Sequence, residues 1–200
     1  MIVKYLLKKV VLVTMDFRLV YKIQEATKNQ FQIIHLAFDN KKISKYPIVF
    51  TTKEELHKLA YFNNAISLNP LDSDLQLKMA IIGALSEIKA DECVFGIDPG
   101  LSIGLSIIYR NEVVDTNLVY SKEKAVQWIK HVQKALKCSQ QRIRLGKGGG
   151  HYMRELFDIL QKNFPFTKIE LIDERSTSIK LKNDISIHEQ AAIQIARRFN

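Results

Sequence analysis

The chain has 200 residues, of which 46% are hydrophobic and 26% charged, with only 8 glycines and 4 prolines. This composition excludes collagen-like and disordered chains, and no apolar run reaches the roughly 18 residues that a membrane-spanning helix requires. Thirty Lys and Arg against 21 Asp and Glu give a net charge of +9, which favours polyanionic partners such as nucleic acid, although a generally basic proteome explains the excess equally well.

The first 14 residues are apolar and basic, but lysines interrupt the apolar stretch and no small-residue cleavage site follows it. A signal peptide is therefore not predicted, and no contact with a membrane is expected. Cys93 and Cys138 lie far apart and have no Cys-x-x-Cys spacing, so we expect neither a disulfide framework nor a zinc site. Reduced thiols in a cytoplasmic protein are the simplest interpretation.

Residues 1–90 alternate between strand-like and helix-like patterns, which predicts a small Rossmann-like α/β domain with a parallel sheet. The predicted strands are residues 9–14, 31–36, 48–51 and 65–68, and the predicted helices are residues 17–28, 53–60 and 73–87.

The segment Thr14-Met15-Asp16 follows the first strand, where α/β folds place binding loops. No Gly-x-Gly-x-x-Gly pattern follows, so no dinucleotide cofactor is predicted, and Asp16 is equally suited to cap the next helix. We expect a structural, partner-binding or nucleic-acid-positioning role for this domain.

The pattern changes near residue 90, and we place a domain boundary at residues 88–92, which gives domains 1–90 and 91–200. Strands 93–97, 104–109 and 112–118 come first, the last two joined as an antiparallel hairpin through Arg110-Asn111. The segments that follow are a helix at 122–136 capped by Ser121, a strand at 141–145, a glycine loop at 146–150, a helix at 151–163, a strand at 168–172 and a helix at 187–199. A hairpin followed by parallel strands predicts a mixed sheet.

Three segments of the second domain carry acidic side chains or histidine to the carboxyl edge of this sheet, where α/β folds bind ligands. They are Asp98 after the first strand, Asp173-Glu174 after the last strand, and His188-Glu189 in the first turn of the last helix. We expect Asp98 and Glu174 on neighbouring strands, although strand alternation leaves Asp173 as an alternative to Glu174. Carboxylates at such short distances repel one another unless a cation neutralises them. Sites rich in oxygen ligands suit Mg²⁺ or Mn²⁺. Two such ions can activate water and stabilise a leaving oxygen in phosphodiester hydrolysis.

Short motifs in this domain resemble those of two nuclease families. Gly96-Ile97-Asp98-Pro99-Gly100 resembles the first motif of RuvC-like Holliday-junction resolvases. The glycine loop IRLGKGGG at 143–150 and the segment IDERST at 172–177 are similar to motifs of YqgF-type nucleases, and HEQAA at 188–192 resembles the position of the final acid in both families. The resemblance covers residues 92–200.

The resemblance implies an RNase H-like domain that hydrolyses branched DNA or structured RNA as a divalent-metal-dependent endonuclease. It implies Mg²⁺ or Mn²⁺ as cofactor and a metal-bound water as nucleophile. The implied catalytic and metal-binding residues are Asp98, Glu174, His188 and Glu189. Symmetric cleavage of a junction would in addition require a homodimer.

Two departures from the family pattern favour an alternative. No acid stands near Leu145-Gly146-Lys147, where RuvC-like enzymes have a glutamate, and His188 stands where an aspartate is expected. The alternative is a catalytically inactive nucleic-acid-binding or scaffold protein that retains the fold. A third and weaker interpretation, an ATP-dependent actin-like fold, requires a longer chain.

Basic side chains near the same edge are candidates for phosphate contacts. They are Arg144, Lys147, Arg154 and Arg175. Gly148-Gly149-Gly150 precedes a helix, where backbone N–H groups can cradle a phosphate, although a tight turn explains these glycines nearly as well. The loop lacks the Lys-Ser/Thr ending of a Walker A motif, so ATP binding is not supported.

Overall fold

The structure, a computed structural model, describes residues 8–28, 30–88, 91–136, 138–173 and 185–198. The chain divides into two compact units, Met1–Ser86 and Glu87–Asn200, and both are α/β as predicted. In the described ranges, no helix combines the length and the apolar character needed to cross a bilayer.

The described part of the first unit forms a four-stranded sheet in the order β2-β1-β3-β4, in which every pair of neighbours is parallel. The parallel sheet is therefore confirmed. Its strands are β1 (Lys8–Val13), β2 (Phe31–Leu36), β3 (Val49–Thr52) and β4 (Ala65–Leu68), its helices are α1 (Phe17–Ala26) and α2 (Asp74–Leu85), and short 3-10 helices span Lys41–Lys45 and Leu56–Leu59.

Local sequence explains where these elements begin. Val10, Val11, Leu12 and Val13 form a fully apolar run, and all four are buried because β1 lies inside the sheet. Asp16 caps α1 by accepting hydrogen bonds from the backbone N–H groups of Arg18 and Leu19. Ser73 and Gln76 form a capping box at the start of α2.

The helix predicted over residues 53–60 does not form; a turn and the 3-10 helix Leu56–Leu59 take its place. The reason is a set of contacts made by Glu55. Its carboxylate accepts hydrogen bonds from the Thr14 hydroxyl, from the Met15 backbone N–H (2.8 Å) and from the Thr52 hydroxyl (2.9 Å). These contacts hold Glu55 against the ends of β1 and β3.

The second unit contains a five-stranded mixed sheet among its described residues, in the order β7-β6-β5-β8-β9. Antiparallel pairing joins β5 to β6 and β6 to β7, and parallel pairing joins β5 to β8 and β8 to β9. Its elements are β5 (Glu92–Asp98), β6 (Ile103–Tyr109), β7 (Glu112–Val119), α3 (Lys122–Ala135), β8 (Gln140–Gly146), α4 (His151–Asn163), β9 (Lys168–Ile172) and α5 (Ile187–Arg197). The predicted hairpin is confirmed: its turn, Arg110-Asn111, has φ of 49° and 65°.

Strand alternation gives the two faces of this sheet different partners. On one face the Phe95 ring packs edge-on against Trp128 of α3, with the ring centroids 6.2 Å apart. On the other face Val94 packs with Ile193 and Ala196 of α5. Asp98 is four residues beyond Val94, so it lies on the face that α5 covers.

Cys93 and Cys138 are joined in a disulfide with their Cα atoms 6.1 Å apart. The expectation of no disulfide is therefore wrong. Cys93 is the second residue of the central strand β5. Cys138 lies two residues before β8, which pairs with β5 from Glu92↔Gln140 onward. The parallel pairing of these two strands brings the cysteines together, which their separation of 45 residues does not reveal.

Candidate functional site

Asp98 and His188 meet at the carboxyl end of β5. Asp98 is the last residue of that strand, and His188 is the second residue of α5. The imidazole Nδ1 lies 2.8 Å from Asp98 Oδ2, although the two residues are 90 positions apart. Two of the four residues predicted to be catalytic and metal-binding are therefore in direct contact.

Two glycines allow α5 to approach closely enough for this contact. A Cβ atom at Gly104 of β6 would lie 2.0 Å from the backbone oxygen of His188, and one at Gly96 of β5 would lie 2.0 Å from that of Ala192. Both distances are far below van der Waals contact. The helix backbone thus lies directly on β5 and β6, and its first turn is placed beside Asp98, which pairs with Gly104.

The Asp98 carboxyl is largely buried, whereas the His188 side chain is partly exposed. Burial raises the pKa of Asp98 above its usual value, because it disfavours the charged form; the hydrogen bond and the charge of His188 oppose this to a lesser extent. Since Nδ1 contacts Asp98, Nε2 is the nitrogen with which His188 would bind a ligand. Such a pair can orient an imidazole for metal binding or proton transfer.

The glycine loop packs next to this pair. Gly149 has φ of +75°, and a Cβ atom there would lie 2.4 Å from the backbone oxygen of Pro99, the neighbour of Asp98. The Lys147 backbone N–H donates to the oxygen of Ile172 at 2.8 Å, which attaches the loop to the end of β9. The loop and the start of α4 therefore lie at the same edge of the sheet as Asp98.

The Glu189 carboxylate makes its hydrogen bonds with groups other than Asp98 and His188. Its Oε2 accepts a hydrogen bond from the Ser186 backbone N–H (3.0 Å) in the capping box of α5, and its Oε1 accepts one from the Thr116 hydroxyl (2.8 Å). Within the described ranges, no three His, Cys, Asp or Glu side chains form a group that could hold a metal ion. The structure thus gives Glu189 a helix-capping role and does not bring it into the expected ligand set.

Two other predicted site residues, Glu174 and Arg175, lie outside the described residues. The sheet order nevertheless corrects one expectation, because β8 lies between β5 and β9. The strand that precedes Glu174 is therefore not a neighbour of the strand that ends in Asp98.

The structure separates Arg144 from Lys147 and Arg154, two of the other predicted phosphate-binding residues. Arg144 is 5% exposed; its Nη1 donates to the backbone oxygen of Ala196 (2.6 Å), and its Nε donates to Glu170 Oε2 (3.1 Å). It therefore holds α5 to the sheet, in place of the expected contact with phosphate. Lys147 and Arg154 are exposed, on the glycine loop and in the first turn of α4.

The first unit has a separate pocket of about 890 Å³ at the carboxyl ends of β1, β3 and β4. Asp16 lines this pocket, but it caps α1 and pairs with Arg18 (2.8 Å), so the N–H groups that a phosphate would need at this helix are already used.

Glu55 also lines this pocket, and the sequence analysis missed it. Its only signal in the sequence is its place three residues after β3. Burial acts to raise the pKa of Glu55, but its hydrogen bonds from Thr14, Met15 and Thr52 outweigh burial and lower that pKa.

No family model and no curated protein matches this chain. The case for a function therefore depends on the residues and on the geometry described above.

Proposed function

We propose that residues 91–200 form an RNase H-like domain that acts as a divalent-metal-dependent endonuclease on branched DNA or structured RNA, and that the domain before it in the sequence is Rossmann-like. The observation that carries this proposal is the contact of Asp98 with His188 (2.8 Å) at the carboxyl edge of a mixed sheet. The hairpin before the parallel strands, the helix on β5 and β6, and the glycine loop beside Pro99 support it.

The donor set at this edge suits a divalent ion of intermediate softness. Asp98 supplies carboxylate oxygen and His188 supplies imidazole nitrogen, a combination that Mn²⁺ accepts more readily than Mg²⁺. Glu174 is the proposed third ligand. When bound, the ion would activate a water molecule and stabilise the leaving oxygen. The chain's own contribution is to hold His188 through Asp98 and to place Lys147 and Arg154 where phosphates bind.

The proposal predicts that Asp98→Asn lowers cleavage of four-way DNA junctions or structured RNA by about 10- to 100-fold in Mn²⁺, because the substitution replaces the charged carboxylate that would bind the ion and that contacts His188. Initial rates on both substrates with Mn²⁺ and Mg²⁺ measure this. Asp158→Asn, an exposed substitution on α4, is the matched control and retains the wild-type rate. Equal cleavage by the Asp98 variant and the wild type would refute the assignment.

A second function is favoured by the position of Glu189, whose carboxylate is engaged by Thr116 and by the cap of α5. If the site lacks a complete ligand set, the domain binds nucleic acid without cutting it. This candidate predicts salt-sensitive binding of junctions without cleavage and no increase in melting temperature on addition of Mn²⁺.

A further inference from the structure

Three apolar side chains protrude from the edge of the second unit at which Asp98 lies. Leu101 is 76% exposed, Tyr120 is 70% exposed and Ile187 is 78% exposed. We refer to these three residues as the apolar rim.

The chain path places the apolar rim next to the Asp98–His188 pair. Leu101 lies in the loop at residues 99–102, which begins directly after Asp98. Tyr120 directly follows β7, whose last residue, Val119, pairs with Ile103 at the start of β6. Ile187 precedes His188 at the start of α5. The three exposed side chains therefore come from three different segments that end or begin at one edge.

The charge around this edge indicates what covers the apolar rim. Lys147 and Arg154 are exposed nearby, on the loop that packs against Pro99 and in the first turn of α4. Two acids lie nearby: Glu155 on α4, which is paired with Lys122, and Glu123, which is exposed in the first turn of α3. Cationic side chains beside exposed aromatic and aliphatic ones are the combination that single-stranded nucleic acid requires, because phosphates bind the cations and base faces stack on the apolar groups.

We propose that the apolar rim receives unpaired bases of the nucleic acid, with Tyr120 as the stacking platform. This inference rests on the proposed function and narrows its substrate to nucleic acids with unstacked bases near the phosphate to be cut. A continuous duplex offers mainly phosphates to such a surface, because its bases are stacked on one another. The apolar rim therefore distinguishes branched or looped substrates from plain duplex.

The test measures binding to the full-length protein in EDTA, so that no cleavage occurs. The probes are a DNA hairpin with 2-aminopurine in an unpaired loop and a duplex of equal length with 2-aminopurine in a base pair. We expect the wild type to bind the looped probe more tightly and to change its fluorescence. We expect Tyr120→Ala to weaken binding of the looped probe by about 5- to 100-fold, with little effect on binding of the duplex. Tyr120→Phe should bind the looped probe as the wild type does.

Phe166 provides the matched control. It is 101% exposed and precedes β9, so it lies at the opposite edge of the sheet from Asp98. Phe166→Ala removes an exposed aromatic ring without changing looped binding. Equal losses for the Tyr120 and Phe166 variants, or equal binding of loop and duplex by the wild type, would overturn the role of the apolar rim. Either result leaves Asp98-dependent cleavage standing, because cleavage of four-way junctions and structured RNA tests the proposed function separately. A wild type that binds neither probe also overturns this inference.

Discussion

Arg144 and Glu170 form an ion pair on the sheet face that α5 covers. Glu170 also accepts hydrogen bonds from Arg142 Nη1 and lies 2.8 Å from Lys168 Nζ. Burial acts to raise the pKa of Glu170, but the hydrogen bonds from Lys168 and Arg144 outweigh it, and the pKa lies below its usual value. One carboxylate therefore neutralises a buried guanidinium that in turn holds the backbone of Ala196.

We expect Glu170→Gln to lower the free energy of unfolding by about 1–3 kcal/mol at pH 7, because Arg144 loses its buried counter-charge. A carboxyl whose pKa is lowered by folding stabilises the protein above its unfolded pKa of about 4.3 and loses this effect as the pH falls through the folded value. The difference between wild type and variant should therefore shrink below about pH 4.

Urea denaturation at pH 7 and at pH 3 measures this difference, with Glu54→Gln, an exposed glutamate in the first unit, as the control. A penalty of the same size at both pH values would show that the charge of Glu170 is not its source.

Single residues also show where the sequence is insufficient. The pattern of residues 141–145 predicts β8, and alternation gives Arg142 and Arg144 the same face. Which face α5 covers depends on the contact of Ala192 with Gly96, a tertiary fact. For that reason the sequence did not reveal that Arg144 is buried and cannot contact phosphate as predicted. Lys147 lies on the loop beyond the strand and is exposed.

At the scale of elements, the contact of α5 with β5 and β6 is what assembles the candidate site. Gly96 and Gly104 lie on adjacent strands, and each faces a backbone oxygen of the helix. Because these atoms belong to the backbone, no side-chain rotation can relieve a clash there. The position of His188 therefore depends on two residues that have no side chain.

We expect Gly104→Ala to displace the first turn of α5 and to separate His188 from Asp98. Cleavage or Mn²⁺ binding should fall at least as far as in Asp98→Asn, and the free energy of unfolding should fall by about 1–3 kcal/mol. Thermal melts and isothermal titration with Mn²⁺ measure the two effects. Gly100→Ala is the control, since the nearest atom to its new Cβ, the Ser102 oxygen, is 3.2 Å away. The site does not depend on this packing if both variants behave alike.

The elements best predicted from sequence are those in which local pattern and tertiary packing agree. The helix at 151–163 and the strands at 31–36, 65–68 and 168–172 have the predicted limits, because apolar periodicity and turn residues mark their ends. Residues 53–60 have a helical pattern, but the contacts of Glu55 with Thr14 and Thr52 override it. Long-range contacts of that kind, like the pairing of Cys93 with Cys138, are not encoded in any short window.

At the scale of the whole molecule, the excess of positive charge acts over the longest distance, because it attracts anions that are not yet in contact with the protein. The chain carries +9, and Lys147 and Arg154 place part of that charge beside the candidate site. The convergence of Asp98 with His188 was predictable, because both segments reach the carboxyl edge of one sheet. The engagement of Glu189 was not, since it depends on Thr116 in a strand that the last helix happens to cross.

Binding of a DNA junction should weaken with salt, and the slope of log K against log[salt] should decrease by about one unit in Lys147→Ala, because one phosphate contact is lost. Fluorescence anisotropy at salt concentrations from about 50 to about 200 mM measures this slope. Lys162→Ala is the matched control in the last turn of α4, far from the glycine loop. An unchanged slope in the Lys147 variant would place the phosphates elsewhere.

The 90 positions between Asp98 and His188 have a consequence for protein synthesis. A ribosome that stops before residue 187 releases a polypeptide with the aspartate but without its imidazole partner, and with the glycine surface of β5 and β6 uncovered. Uncovered apolar surface is what chaperones and proteases recognise in incomplete chains. A chain truncated there would therefore lack the Asp98–His188 contact on which the proposed activity rests, and its uncovered sheet would expose it to proteolysis.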